Sequence, residues 1–86
     1  MRLTIYSKPG CHLCDEMKAL VTRTIQNRAA ISRDAISLEE IDISGDPALL
    51  ALYELEIPVL MIDGKKAAKY RVTEAELARK LDGVRR

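Results

Sequence analysis

Cys11-His12-Leu13-Cys14 sets the chain's two cysteines three positions apart, a spacing at which one sulfur can attack a disulfide while the other resolves the product. If Cys11 opens a helix, Cys14 lies almost one turn further on, so the sulfurs approach each other and Cys11 stays at the exposed end. Unpaired N–H groups and the helix dipole at that end favour a thiolate. Lys8, three residues upstream, adds a positive charge, whereas Asp15 and Glu16 in the first turn oppose a second negative one. A structural staple is the weaker reading. The loop is so short that its chain-entropy gain is about 2 kcal/mol, against about 5 for a long loop. Two other classes stay open. Cys11, Cys14 and His12 could begin a metal or iron–sulfur site, one ligand short unless Asp15 or a second subunit contributes. Alternatively, the sulfurs are inert on a non-catalytic interaction domain.

The elements that must position the pair fit one small domain, residues 1–86, able to bury roughly 60% of the surface its unfolded chain would expose. A hydrophobic fraction of 48% is ordinary for a globular chain, and a net charge of +1 gives no footprint for nucleic acid or an anionic membrane. The first apolar run is too short for a signal-peptide core, and no stretch approaches about 18 apolar residues. A cytoplasmic monomer is expected, with no metal, no nucleic acid and no membrane among its partners. In that compartment thiols are kept reduced, so a close cysteine pair is more often catalytic or metal-binding than structural.

Leu3 to Tyr6 reads as a first strand, broken by Ser7-Lys8-Pro9-Gly10. Cys14, Met17, Val21 and Ile25 then recur on one face of a helix of about four turns. The polar stretch Asn27 to Asp34 carries no clear boundary, and Ile36 to Ile43 alternates as a second strand. Asp46 caps a helix with Pro47 at its first position; Ala48 to Leu55 continues it until Ile57-Pro58 stops it. Val59 to Ile62 is a buried-type strand, and the Asp63-Gly64 turn returns Lys65 to Tyr70 antiparallel beside it. Thr73-Glu74-Ala75-Glu76 is a capping box opening a last helix that Gly83 closes. The order is βαβαββα, an α/β arrangement in which a right-handed crossover and a hairpin build a four-stranded mixed sheet flanked by three helices.

Tyr6-Ser7-Lys8-Pro9-Gly10-Cys11-His12-Leu13-Cys14, with Ile57-Pro58-Val59 before a strand and the Asp63-Gly64 hairpin after it, resembles the glutaredoxin-like members of the thioredoxin superfamily. The resemblance spans nearly the whole chain. It implies a thioredoxin-like fold and a dithiol–disulfide oxidoreductase acting on protein or low-molecular-weight disulfides, with Cys11 attacking and Cys14 resolving. It further implies a cis Pro58 lying against the cysteines, an Ile57 backbone that pairs with a bound thiol substrate, and a Lys8 that contacts the substrate's carboxylate. No bound cofactor is implied; glutathione is the candidate reductant, thioredoxin reductase the other, and the reducing system itself is unassigned. Two departures weaken the case for glutathione. Ala68 to Thr73 lacks the family's Gly-Gly step, and His12-Leu13 stands in place of Pro-Tyr.

Blander readings hold for the remaining residues. A cation at a helix N-terminus opposes the dipole, so His12 is expected to be neutral and solvent-facing. Tyr6, Tyr53 and Tyr70 read as packing residues, and Leu49, Leu50, Leu52 and Leu55 as core. Arg85 and Arg86 read as a frayed basic tail.

Overall fold

The computed structural model describes residues 1–27 and 36–84. The expected loop from Asn27 to Asp34 falls almost wholly outside them, as does the Arg85-Arg86 tail. Four strands, β1 (Arg2–Ser7), β2 (Ser37–Asp42), β3 (Val59–Ile62) and β4 (Lys65–Lys69), form one sheet in the order β2-β1-β3-β4. Three helices, α1 (His12–Asn27), α2 (Pro47–Tyr53) and α3 (Glu74–Val84), complete the expected βαβαββα order. β1 runs parallel to β2 and antiparallel to β3, which is antiparallel to β4.

Register decides which side chains share a face. Leu3 pairs with Ile62 and Ile5 with Leu60, and these four point to one side, where Met17 and Val21 of α1 and Leu77 and Leu81 of α3 meet them. Leu3, Ile5, Val21, Leu60, Leu77 and Leu81 are each 0% exposed. Full burial of such side chains is worth about 1.5–3 kcal/mol apiece. Thr4, Tyr6, Val59 and Met61 face the other way, and there the ring of Tyr6 stacks on Tyr53 of α2 with centroids 4.8 Å apart. Helices α1 and α3 therefore cover one face and α2 the other.

Three expectations need correction. The apolar run of α2 is not core: the helix has no buried residue, Leu52 is 64% exposed and Leu55 87%, while Leu49 and Leu50 are half-buried. Consecutive leucines spread by about 100° each around a helix, so Leu52 points roughly opposite Leu50, and a seven-residue helix covers only a narrow stripe of sheet. Leu55 lies beyond its end. The second strand stops at Asp42, whose carboxylate accepts from the Ser44 N–H at 2.9 Å and turns Ile43 into a buried 3-10 turn, Ile43–Gly45. Gly83 does not close α3, which continues to Val84.

Candidate active site

Both cysteines sit where β1 gives way to α1. The chain leaves Ser7 through a turn in which the Cys11 N–H donates to the Lys8 carbonyl at 3.3 Å, with Pro9 and Gly10 at its centre. Gly10 takes φ +76, the left-handed conformation that the residue after the proline needs in this turn and that glycine alone adopts freely. Cys11 is then the cap of α1, its carbonyl accepting from the Asp15 N–H at 3.2 Å. Its sulfur takes the position of a serine hydroxyl in an ordinary cap, accepting from the Cys14 N–H at 3.1 Å. One interaction thus both ends the helix and places a donor on the sulfur that would carry a thiolate.

Cys11 and Cys14 are joined as a disulfide, with their Cα atoms 5.2 Å apart. Cys14 is 1% exposed and Cys11 is half-buried, so a solvent-borne reactant meets Cys11 first. His12 and Glu16 stand on the outer face of the first turn, with His12 Nε2 3.6 Å from Glu16 Oε1 and the imidazole side chain 87% exposed. Among the described residues, no three His, Cys, Asp or Glu side chains gather where they could hold a metal ion.

The sheet brings the other sequence-singled residues to the same end. Tyr6 pairs with Val59, so the preceding Pro58 lies alongside the exit of β1 toward Cys11. The Ile57-Pro58 bond is cis, Pro58 is buried and Ile57 half-buried. Lys8 extends toward α2, its Nζ 3.8 Å from Glu54 Oε1, with both side chains partly exposed. The carboxyl of Asp42 is held below the usual aspartate value by the Ser44 hydroxyl and N–H, with a smaller contribution from the charge of Lys8.

Tyr70 departs from the packing role expected of it. It is 45% exposed, not packed away, and takes φ 64, a left-handed conformation costing a bulky residue on the order of 1–3 kcal/mol. The Arg71 N–H closes a three-residue γ-turn over it onto the Lys69 carbonyl at 2.7 Å. Two bonds hold this conformation: the Tyr70 N–H donates to the Pro58 carbonyl at 2.8 Å, and its hydroxyl donates to the Leu55 carbonyl at 3.0 Å. No local sequence signal announces such a turn, because the usual marker is a glycine or asparagine.

A family model described as glutaredoxin-like domain (DUF836) matches residues 2–82. A "Glutaredoxin-like protein YDR286C homolog" from Dictyostelium discoideum is 26% identical over 86 residues, all of this chain and 80% of that protein. The X-ray structure of protein XcR50 from X. campestris superposes with a TM-score of 0.74 at 27% identity, covering 94% of this chain and 96% of that one. The glutaredoxin-like protein NrdH-redoxin from Escherichia coli, described as having a thioredoxin-like activity profile, matches with a TM-score of 0.56 at 25% identity over 92% and 93% of the two chains. Among the described residues, no helix is long and apolar enough to cross a membrane. A disulfide-bonded Cys-x-x-Cys pair at the head of the first helix of this fold points to redox function. By fold, by the extent of the family match and by these relatives, the chain belongs to the glutaredoxin-like domain (DUF836) family of the thioredoxin superfamily.

Proposed function

We propose that the protein is a thiol–disulfide oxidoreductase that reduces disulfides of proteins or small thiols through Cys11 and Cys14. The observation that carries this reading is the asymmetry of the pair: a half-buried Cys11 whose sulfur receives the Cys14 N–H, in front of a Cys14 that is 1% exposed. In the reduced protein the Cys11 thiolate attacks one sulfur of a substrate disulfide, forming a mixed disulfide and expelling one substrate thiolate. The Cys14 thiolate then attacks the Cys11 sulfur, releasing the second substrate thiolate and leaving the Cys11–Cys14 disulfide. Two electrons pass to the substrate, the released thiolates take up protons, and an external thiol or dithiol returns the protein to its reduced form. Ile57 supplies backbone against which the substrate lies, Pro58 shapes that backbone, and Lys8 offers a charge for a substrate carboxylate.

Trapping tests the assignment. Cys14→Ser should accumulate a mixed disulfide on Cys11, seen by intact mass after mixing with a disulfide substrate, and Cys11→Ser should form no adduct. An adduct on the Cys11→Ser protein alone would reverse the roles.

Glutathione is proposed to be a poor ligand, with the electrons coming from a thioredoxin-type reductase. Ala68 to Thr73 has no glycine to admit a tripeptide backbone, and an exposed lysine contact is worth under about 1 kcal/mol. The thioredoxin-like profile of the E. coli relative runs in the same direction. Turnover of a mixed disulfide, coupled in parallel to glutathione with its reductase and to thioredoxin reductase, decides between the two.

A further inference from the structure

A groove of about 400 Å³ runs along α1 from Leu13, the residue before Cys14, to Arg23, and its opposite wall is the segment Tyr70 to Val72. The thiol chemistry proposed above does not use it. Its floor is apolar, from Leu13, Met17, Leu20 and Val72, and its charges are unequal. Arg23 of α1 and Arg71 beyond β4 both line it, and among the described residues no ion pair engages either. Among the described lining residues the one carboxylate, Glu16, stands 3.6 Å from His12 at the end nearest the cysteines. The Arg71 wall is the γ-turn over Tyr70, whose left-handed backbone is the kind of outlier that collects at binding sites.

We infer that this groove receives the extended chain flanking the cysteine of a protein disulfide, an apolar side chain lying over Leu13 and Met17 and an acidic one reaching Arg23 and Arg71. The inference rests on the oxidoreductase reading and names its substrate class. Length argues for a peptide. Leu13 and Arg23 are ten positions apart, about 15 Å along a helix, which four or five extended residues span. Charge sets the preference, because a basic flank would meet two guanidinium groups and an acidic flank would neutralise them.

The test uses single-turnover reduction of dimeric peptide disulfides by the pre-reduced protein. The peptides are Cys-Leu-Ala-Ala-Glu and Cys-Leu-Ala-Ala-Lys, each also made in reverse order so that chain direction is sampled. The acidic peptide should react about tenfold faster, the discrimination that two partly exposed ion pairs supply, and salt should shrink the ratio. The Arg23→Glu/Arg71→Glu protein should invert it. Arg2→Glu/Lys65→Glu makes the same change in net charge at residues that do not line the groove and should keep the wild-type preference. A wild-type ratio near one in both directions, or equal loss of preference in the two double variants, overturns the inference and leaves the oxidoreductase reading standing. Failure to reduce either peptide or 2-hydroxyethyl disulfide overturns both.

Discussion

Tyr70 binds Pro58 through its backbone, N–H to carbonyl at 2.8 Å, and with its hydroxyl on the Leu55 carbonyl at 3.0 Å it grips the segment leading into β3 from both ends. That segment carries Ile57 and lies at the sheet end where β1 runs out toward Cys11. The side chain of Tyr70 therefore acts on the backbone proposed to face the substrate, without itself being part of the sulfur chemistry.

Tyr70→Phe removes the hydroxyl bond and keeps the backbone one. Stability should fall by about 0.5–1.5 kcal/mol in urea titration, toward the low end because water can reach the exposed site. In this variant the backbone amide at position 70 should stay protected from hydrogen exchange while the chain around Leu55 loosens. Equal loss of protection at both places would show that the hydroxyl holds the whole turn.

Reduced protein treated with iodoacetamide near neutral pH should be alkylated at Cys11 first. Cys14 is 1% exposed and is reached only when the helix start opens, so peptide mapping at partial reaction should find the label almost wholly on Cys11. Faster labelling of Cys14 would remove the basis for assigning the attacking sulfur.

The start of α3 should respond to acid. Glu76 accepts from the Thr73 hydroxyl at 2.9 Å and the Thr73 N–H at 3.2 Å, and these bonds hold its carboxyl below the usual glutamate value. A depressed folded-state value means that the carboxylate stabilises the helix start above the unfolded-state value, with the contribution lost as pH falls through the folded-state one. Protection factors at Glu76 and Leu77, taken relative to the intrinsic exchange rate at each pH, should therefore fall on acidification, and much less so in Glu76→Gln. Thr73→Ala, which deletes the hydroxyl accepting from the Glu76 N–H at 3.1 Å, should cost about 1 kcal/mol at neutral pH.

Two leucines that look alike in sequence should behave in opposite ways. Leu60→Ala empties a fully buried site between sheet and helices and should cost about 2–5 kcal/mol. Leu55→Ala removes a side chain that is 87% exposed and should stay within about 0.5 kcal/mol, both read from denaturation midpoints.

Wherever a local rule was strong, the order of elements could be read directly. Pro9-Gly10 before the cysteines, Asp46-Pro47, Asp63-Gly64 and the Thr73 to Glu76 box are backbone chemistry written in single residues, and each stands in the fold as a turn or cap. The cysteine pair was legible for the same reason, since three positions at the head of a helix fix how near two sulfurs can come. Burial on α2 was not legible. An apolar run states that residues could be buried, but only the width of sheet beneath the helix decides which of them are, and here that width stops at Leu50 and Tyr53. Tyr70 and the Arg23–Arg71 groove were likewise invisible. A tyrosine in a left-handed turn is disfavoured locally and is held by two carbonyls 12 and 15 residues away in sequence, Pro58 and Leu55, contacts that exist only once β3 and β4 have paired.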